Sequence, residues 1–290
     1  MQNNVLLGIG LMVVTTFMFS TMDGVSRYLA ENNNVFTLVT MRYWFIAIVI
    51  AITCLFVKDS FQKVLYTKQP FTQFSRGLIL SLNNCLVVYT FTLLGLVETH
   101  AIIACYPLIV AGLSVPFLGE KFGWRRWTAI FVGFVGVIII LRPTTNVISE
   151  GAIYALVGAI MFAVYLILTR YVSRLDKAIT SFFWAGIGGS VTMTIISFFI
   201  WENILKEDFL WLLIMCVLSA SSHFMMVKTL QVAEASVIQP FSYLQLVFGS
   251  IIGVTIFSES IDLMIVVGVT IVIGAGLFTA WREYIKKHPI

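Results

Sequence analysis

A handful of polar side chains stand inside long apolar stretches of this chain, and each is expensive there unless it meets protein, water or a ligand. Asp23 lies near the end of the first stretch, with Arg27 four residues on, at the spacing that puts two side chains on one helix face. Arg42 sits early in the second stretch, Asn83 and Asn84 mid-way along the third, and Glu98 and His100 open the fourth, ahead of Tyr106 and Pro107. The eighth carries His223, and the ninth carries Gln239 and Tyr243 near one face, with Gln245 expected to face elsewhere. Such residues suit the holding of a charged small molecule. Asp23 and Glu98 can meet an ammonium or sulfonium, Arg42 can take a carboxylate bidentately, and the Tyr106 and Tyr243 rings can flank a ring or cation. An Asp23–Arg27 or Asp23–Arg42 pair that locks helices together is the alternative use of the same charges. Adjacent asparagines point about 100° apart on a helix, so one of Asn83 and Asn84 is expected to face a cavity while the other bonds a neighbouring helix.

The elements that must position these groups are membrane spans. The chain of 290 residues is 59% hydrophobic and 11% charged, with mean hydropathy +0.97. Soluble domains are about a quarter charged, and an apolar run of about 20 residues already crosses the hydrocarbon core. Ten candidate spans follow, at 5–29, 36–57, 73–94, 97–118, 125–142, 151–172, 178–201, 210–230, 236–257 and 263–281. The first is too long for a signal peptide and is read as a retained helix. Placing both termini in the cytoplasm puts fourteen of the 18 Lys and Arg at inner ends or links and only Arg27, Arg42, Arg142 and Lys206 outside. A multi-pass protein of the cytoplasmic (inner) membrane is the expectation.

Several function classes drop out. The net charge of +4 is scattered through short links and forms no stripe for a phosphate backbone, so no nucleic-acid partner is expected. The links are too short for a nucleotide-binding domain, and no Gly-rich loop ends in Gly-Lys-Ser/Thr. The four cysteines lie in apolar segments without metal-ligand spacing and are read as buried thiols. No cofactor, no metal and no enzyme activity are expected.

The chain also repeats itself. Residues 95–141 and a second stretch about 139 residues later each hold two apolar spans with a glutamate in the link, Glu120 and Glu259. Residues 15–29 align with 157–172 at an offset of 143, matching Arg27 to Arg170. Five spans per half is an odd number, so the second half would enter the bilayer from the opposite face, as an alternating carrier requires. Arg27, Arg76, Arg170, Pro107, Glu120, His223 and Glu259 are the expected gating or structural residues. Glycines at 133, 136, 268, 274 and 276 predict close packing of spans five and ten, as support or as the face of a homodimer.

The run P107-L-I-V-A-G-L-S-V-P-F-L-G-E120, with Trp127 and G133-F-V-G-V-I-I-I-L-R-P143, and its second-half counterpart Y243-L-Q-L-V-F-G-S-I-I-G-V-T-I-F-S-E259 resemble the EamA family of the drug/metabolite transporter superfamily over essentially the whole chain. That resemblance implies an all-α polytopic membrane protein of ten transmembrane helices in two inverted five-helix repeats, 1–145 and 146–290. It further implies a central cavity bounded by helices one, three, four, six, eight and nine. Within the family, D23-G-V-S-R27-Y28-L29, Arg42, R76-G77 and Y243-L-Q-L246 are similar to the branch of S-adenosylmethionine uptake transporters; Gln245 stands where that pattern admits a charge. The resemblance implies a secondary transporter of a small charged or zwitterionic metabolite, S-adenosylmethionine among them. Carboxylates, amino acids and amines are the substrates of related carriers, and a channel or scaffold is the alternative of another class.

Overall fold

The computed structural model describes residues 5–56, 65–119, 123–141, 149–172, 175–176, 178–232 and 239–287. Among them there is no strand. The helices are α1 (Val5–Ala30), α2 (Val35–Phe56), α3 (Pro70–Ile103), α4 (Tyr106–Leu118), α5 (Trp124–Leu141), α6 (Glu150–Val172), α7 (Ala178–Ile200), α8 (Phe209–Val232), α9 (Leu244–Phe257) and α10 (Leu263–Lys287). Short 3₁₀ turns at Lys206–Asp208 and Gln239–Tyr243 lead into α8 and α9. Among the described residues six helices are long and apolar enough to cross a membrane, and four shorter apolar ones accompany them. Backbone polar groups have no water in hydrocarbon, so a helix, which satisfies them internally, is what such sequences form. Many large apolar side chains point outward, Phe198 at 86% exposure and Phe71 at 84%. In a bilayer those faces meet lipid.

Helix α3 contains the sharpest feature of the chain. Gly95 has φ 79° and ψ −178°, a backbone region open essentially to glycine alone. The chain folds back there. Thr99 Oγ1 donates to Thr90 O at 3.4 Å, and the Phe91 and His100 rings lie 5.5 Å apart, whereas nine residues of straight helix would separate such pairs by about 13 Å. The incoming arm 70–94 therefore matches the span expected at 73–94, and the returning arm 96–103 begins close to the start of the span expected at 97–118. The returning arm then breaks before α4. Pro107 has no N–H and its ring crowds the carbonyl four residues back, so a continuous helix through 97–118 is not sustained. Cys105 N instead bonds Ile102 O at 3.2 Å in a tightened turn, and Leu108 N restarts the ladder on Cys105 O at 3.0 Å.

A second expected span is also broken. The predicted 236–257 resolves into the 3₁₀ turn Gln239–Tyr243 and α9, because Pro240 cannot join an α-helical ladder. Laterally, α5 packs on α10, α3 on α6 and α7, α1 on α8 and α9, α2 on α7, and α4 on α6. One buried apolar cluster joins the returning arm, α4, α5, α6 and α10 through Ile102, Leu108, Ile140, Ala155 and Val272. A separate one joins α1, α2 and α8 through Met22, Leu29, Leu38 and Met215.

Candidate functional site

Asp23 is the hub. It is 7% exposed on α1, and its Oδ2 accepts a hydrogen bond from Gln245 Nε2 of α9 at 3.1 Å. His100 Nε2, on the returning arm, stands 3.5 Å from the same oxygen. Arg42, from α2, acts on Asp23 electrostatically. Three elements thus bring a carboxylate, an imidazole and an amide to one place, and the α2 guanidinium reaches the same turn of α1 through Met22. The α1 register permits it, because Ser20 Oγ also donates to Gln245 O at 2.9 Å and pins α9 to the same face.

Arg42 is the unusual member. It is 2% exposed, and its Nη1 meets Met22 Sδ at 3.7 Å. Its Nε and Nη2 are buried without a hydrogen-bond partner among the described residues. A buried donor left unsatisfied costs about 1–3 kcal/mol, and more when it carries charge. The open Nε/Nη2 edge is the one with which a guanidinium grips a carboxylate in parallel hydrogen bonds.

The other predicted residues divide. Asn84 Nδ2 donates to Tyr43 OH of α2 at 2.9 Å, whereas Asn83 is buried with Oδ1 unpartnered among the described residues. Glu98 is half-buried on the returning arm. Tyr106 meets the Phe162 ring edge-on at 4.9 Å. Tyr243 is not at the hub. Its ring lies against Gly276 of α10, inside the apolar cluster, and its hydroxyl has no partner among the described residues. Gln245, expected to face elsewhere, takes the place on α9 beside Asp23. The 3₁₀ turn resets the helical register, so a face extrapolated from Gln239 does not carry past Tyr243. The Gln239 side chain and Glu120 lie outside the described residues. His223 Nδ1 meets Ser219 O at 2.9 Å, with the Phe19 ring edge-on at 5.1 Å.

Arg27 does not pair with Asp23, although the two share a face. It forms an ion pair with Glu259, just past α9, and its guanidinium covers the Phe257 ring at 4.1 Å. The Glu259 carboxylate also accepts from the backbone N–H groups of Leu96 and Val97, each at 2.8 Å. Those are free donors at the start of the returning arm, the place where a negative charge is best held.

At the opposite end, Arg76 donates to Gln73 Oε1 and, through Nε at 3.0 Å, to Thr169 Oγ1 of α6, while its guanidinium lies 5.3 Å from the Tyr165 ring centre. Gln73 Nε2 donates to Asp176 Oδ2 at 2.8 Å and Ser181 Oγ at 3.1 Å. Asp176 further accepts from the Thr67 hydroxyl and, at 3.3 Å, from Lys68 N. Sequence reasoning singles out Arg76 and misses Gln73 and Asp176; a glutamine one turn before the arginine is the signal available. Arg170 is exposed in the last turn of α6.

The profile of the EamA-like transporter family matches residues 6–142 and again 149–281. The chain is 28% identical over 281 residues to the S-adenosylmethionine uptake transporter of Rickettsia felis, covering 96% of this chain and 94% of that protein. It is 28% identical over 280 residues to the protein of that name in Rickettsia bellii, again 96% and 94% of the two chains. A riboflavin transporter of Rhizobium johnstonii is 21% identical over 282 residues, 96% of this chain and 92% of that one. A crystal structure at 11% sequence identity superposes with a TM-score of 0.66 and covers 100% of both chains, a likeness of fold alone.

Proposed function

The chain belongs to the EamA-like transporter family, and on that footing we propose that it is a secondary carrier moving a small charged or zwitterionic metabolite by alternating access. Arg42 carries the reading: a guanidinium 2% exposed, with Nε and Nη2 unpartnered among the described residues, touches Met22, the residue before the buried Asp23, and acts on Asp23 electrostatically. A substrate carboxylate would satisfy that edge, and a positive group would lie toward Asp23. S-adenosylmethionine has both charges, and the Rickettsia relatives bear its name. Gln245 orients the Asp23 carboxylate through its hydrogen bond, with His100 Nε2 3.5 Å from the same oxygen. Proposed membership of the pathway extends to Asn83, whose buried Oδ1 lacks a donor among the described residues.

Alternating access needs two related halves and two closures. Support for halves at 1–145 and 146–290 comes from the two stretches matched by the family profile. Support for their exchange symmetry comes from the packing: swapping α1–α5 with α6–α10 maps α1·α8 onto α6·α3, α1·α9 onto α6·α4, and leaves α2·α7 and α5·α10 in place. In this reading the Arg27–Glu259 pair closes the outer end and the Gln73–Arg76–Asp176 network closes the inner end of an inner-membrane protein with both termini in the cytoplasm.

The test is uptake of labelled S-adenosylmethionine into proteoliposomes, with adenosyl compounds, amino acids, amines, dicarboxylates and riboflavin as competitors. Saturable uptake is expected, with Arg42→Gln and Asp23→Asn each lowering flux at least tenfold at equal abundance. Near-normal flux in both variants would remove the hub from the pathway. Transport of another competitor without S-adenosylmethionine would keep the carrier and change its substrate.

A further inference from the structure

Helices α5 and α10 pack against each other unevenly. Toward the Leu141 end they touch closely: a Cβ at Gly136 would come within 2.8 Å of Gly268 O, and one at Gly268 within 2.6 Å of Gly136 O. Toward the Trp124 end they splay. A Cβ on Gly274 would meet nothing within 4 Å, and the space between the helices is a groove of about 470 Å³. Its floor is small, Ala129, Gly274 and Ala275, and its walls include Trp124, Val132 and Phe278. A charged side chain lines it too, Arg125, whose guanidinium lies 5.6 Å from the Trp124 ring centre.

We propose that this groove binds one anionic phospholipid of the surrounding bilayer, an acyl chain lying between α5 and α10 and the headgroup phosphate on Arg125. The interior suits hydrocarbon, since its lining is almost wholly apolar. The mouth suits an anion. Trp124, Trp127 and Trp281 are all exposed on these two helices, 72%, 47% and 54%, and exposed tryptophans on membrane helices settle at headgroup depth. That depth places the Arg125 guanidinium among lipid phosphates, where its planar donors match two phosphate oxygens. In the sequence, the stretch 120–126 holds Lys121, Arg125 and Arg126 against Glu120, and 282–287 holds Arg282, Lys286 and Lys287 against Glu283, a basic balance in both. A second copy of the chain fits less well. A two-fold contact centred on the groove would set one Arg125 against the other, a like-charge encounter.

The test uses the full chain in vesicles containing phosphatidylglycerol or phosphatidylcholine with brominated acyl chains. Quenching of Trp124 fluorescence is read as wild type minus Trp124→Phe. Brominated phosphatidylglycerol is expected to occupy the site preferentially, and Arg125→Gln to lower that preference about fivefold, the effect of one basic residue at an anionic surface. Arg125→Lys keeps the charge and should keep most of the preference, which separates lost attraction from lost folding. Gly274→Leu, set where a side chain has open space, should fill the groove and abolish the excess quenching by either lipid at unchanged helix content. Equal quenching by both lipids in the wild type, or a preference indifferent to Arg125→Gln, would overturn the assignment. So would excess quenching that falls as protein density in the vesicle rises, because a second copy would then be displacing lipid.

Discussion

At the Arg27 end of the bundle one carboxylate does several jobs at once: Glu259 pairs with Arg27 of α1 and accepts the Leu96 and Val97 N–H groups of the α3 turn, all from the end of α9. At the Gln73 end the work is shared out. Gln73 stands between Arg76 and Asp176, and Thr67, Thr169, Ser181 and Lys68 N each add one bond. Removing the single carboxylate breaks together every link that Glu259 makes, whereas removing one member of the network leaves the others. Taken as the two closures proposed above, the first should open in an all-or-none way, and the second in steps. A carrier that opens each end in turn would have one sharp and one graded closure.

Gly95 gives the strongest way to break that contrast. A Cβ there would lie 2.5 Å from Glu259 Oε1, and the residue's φ 79°, ψ −178° is a region that other residues enter only at a cost of about 1–3 kcal/mol. Gly95→Ala should therefore strain the turn and displace the carboxylate together. The expected result is a fall in thermal midpoint in detergent and, on the proposed function, loss of substrate flux. An alanine variant as stable and active as wild type would mean that the concentrated closure is not built on this turn.

The two closures can next be compared by one conservative change at each. Glu259→Gln keeps the shape but removes the charge, and its amide can accept from one of the two backbone N–H groups at most; about 2 kcal/mol is expected, the range for hydrogen bonds to a charged partner. Thr169→Val at the other end removes one acceptor from Arg76, which keeps Gln73 Oε1, and about 1 kcal/mol is expected. Unfolding midpoints of the two purified variants give the ratio. If the threonine change costs as much as the glutamate change, the network is cooperative and the distinction between the ends disappears.

Much of this arrangement is legible in the amino-acid sequence, and the parts that are not have physical causes. The reversal near Gly95 lies between the spans expected at 73–94 and 97–118, because a polar Glu98 and a glycine interrupt an apolar run. Arg27 and Glu259 both stand among the expected gating residues. What spacing does not say is which neighbour a side chain reaches: Asp23 and Arg27 share a face at i, i+4, yet Arg27 turns to Glu259 while Asp23 turns to Gln245. The Tyr243–Gln245 reversal has a different origin. Helical-wheel reasoning assumes one continuous helix, and the 3₁₀ turn Gln239–Tyr243 breaks that assumption. Gln73 and Asp176 escape a reading by spacing because their use depends on loops meeting across the chain, about a hundred residues apart.

The smallest expected effect tests the shared closure alone, through pH. Asp176 lies between α6 and α7, outside the helices. Its partial burial pushes its pKa up, but hydrogen bonds from Thr67, Gln73 and Lys68 N, with the Lys68 charge, outweigh that and hold it below the usual 3.8. A carboxylate with a depressed pKa in the folded state adds stability that is fully present above its unfolded value and is lost as pH falls through the folded one. The contribution from Asp176 should thus be constant at neutral pH and fade only below about 4, where an unfolded aspartate takes its proton. Other carboxylates fade in the same range, so the quantity to measure is the difference in unfolding midpoint between wild type and Asp176→Asn at a series of pH values. The wild-type advantage should be small, level from pH 7 to 5, and shrink below pH 4. An advantage that grows on acidification would mean that Asp176 is held protonated, and that Gln73 joins the two sides of the network as an acceptor rather than as the donor described above.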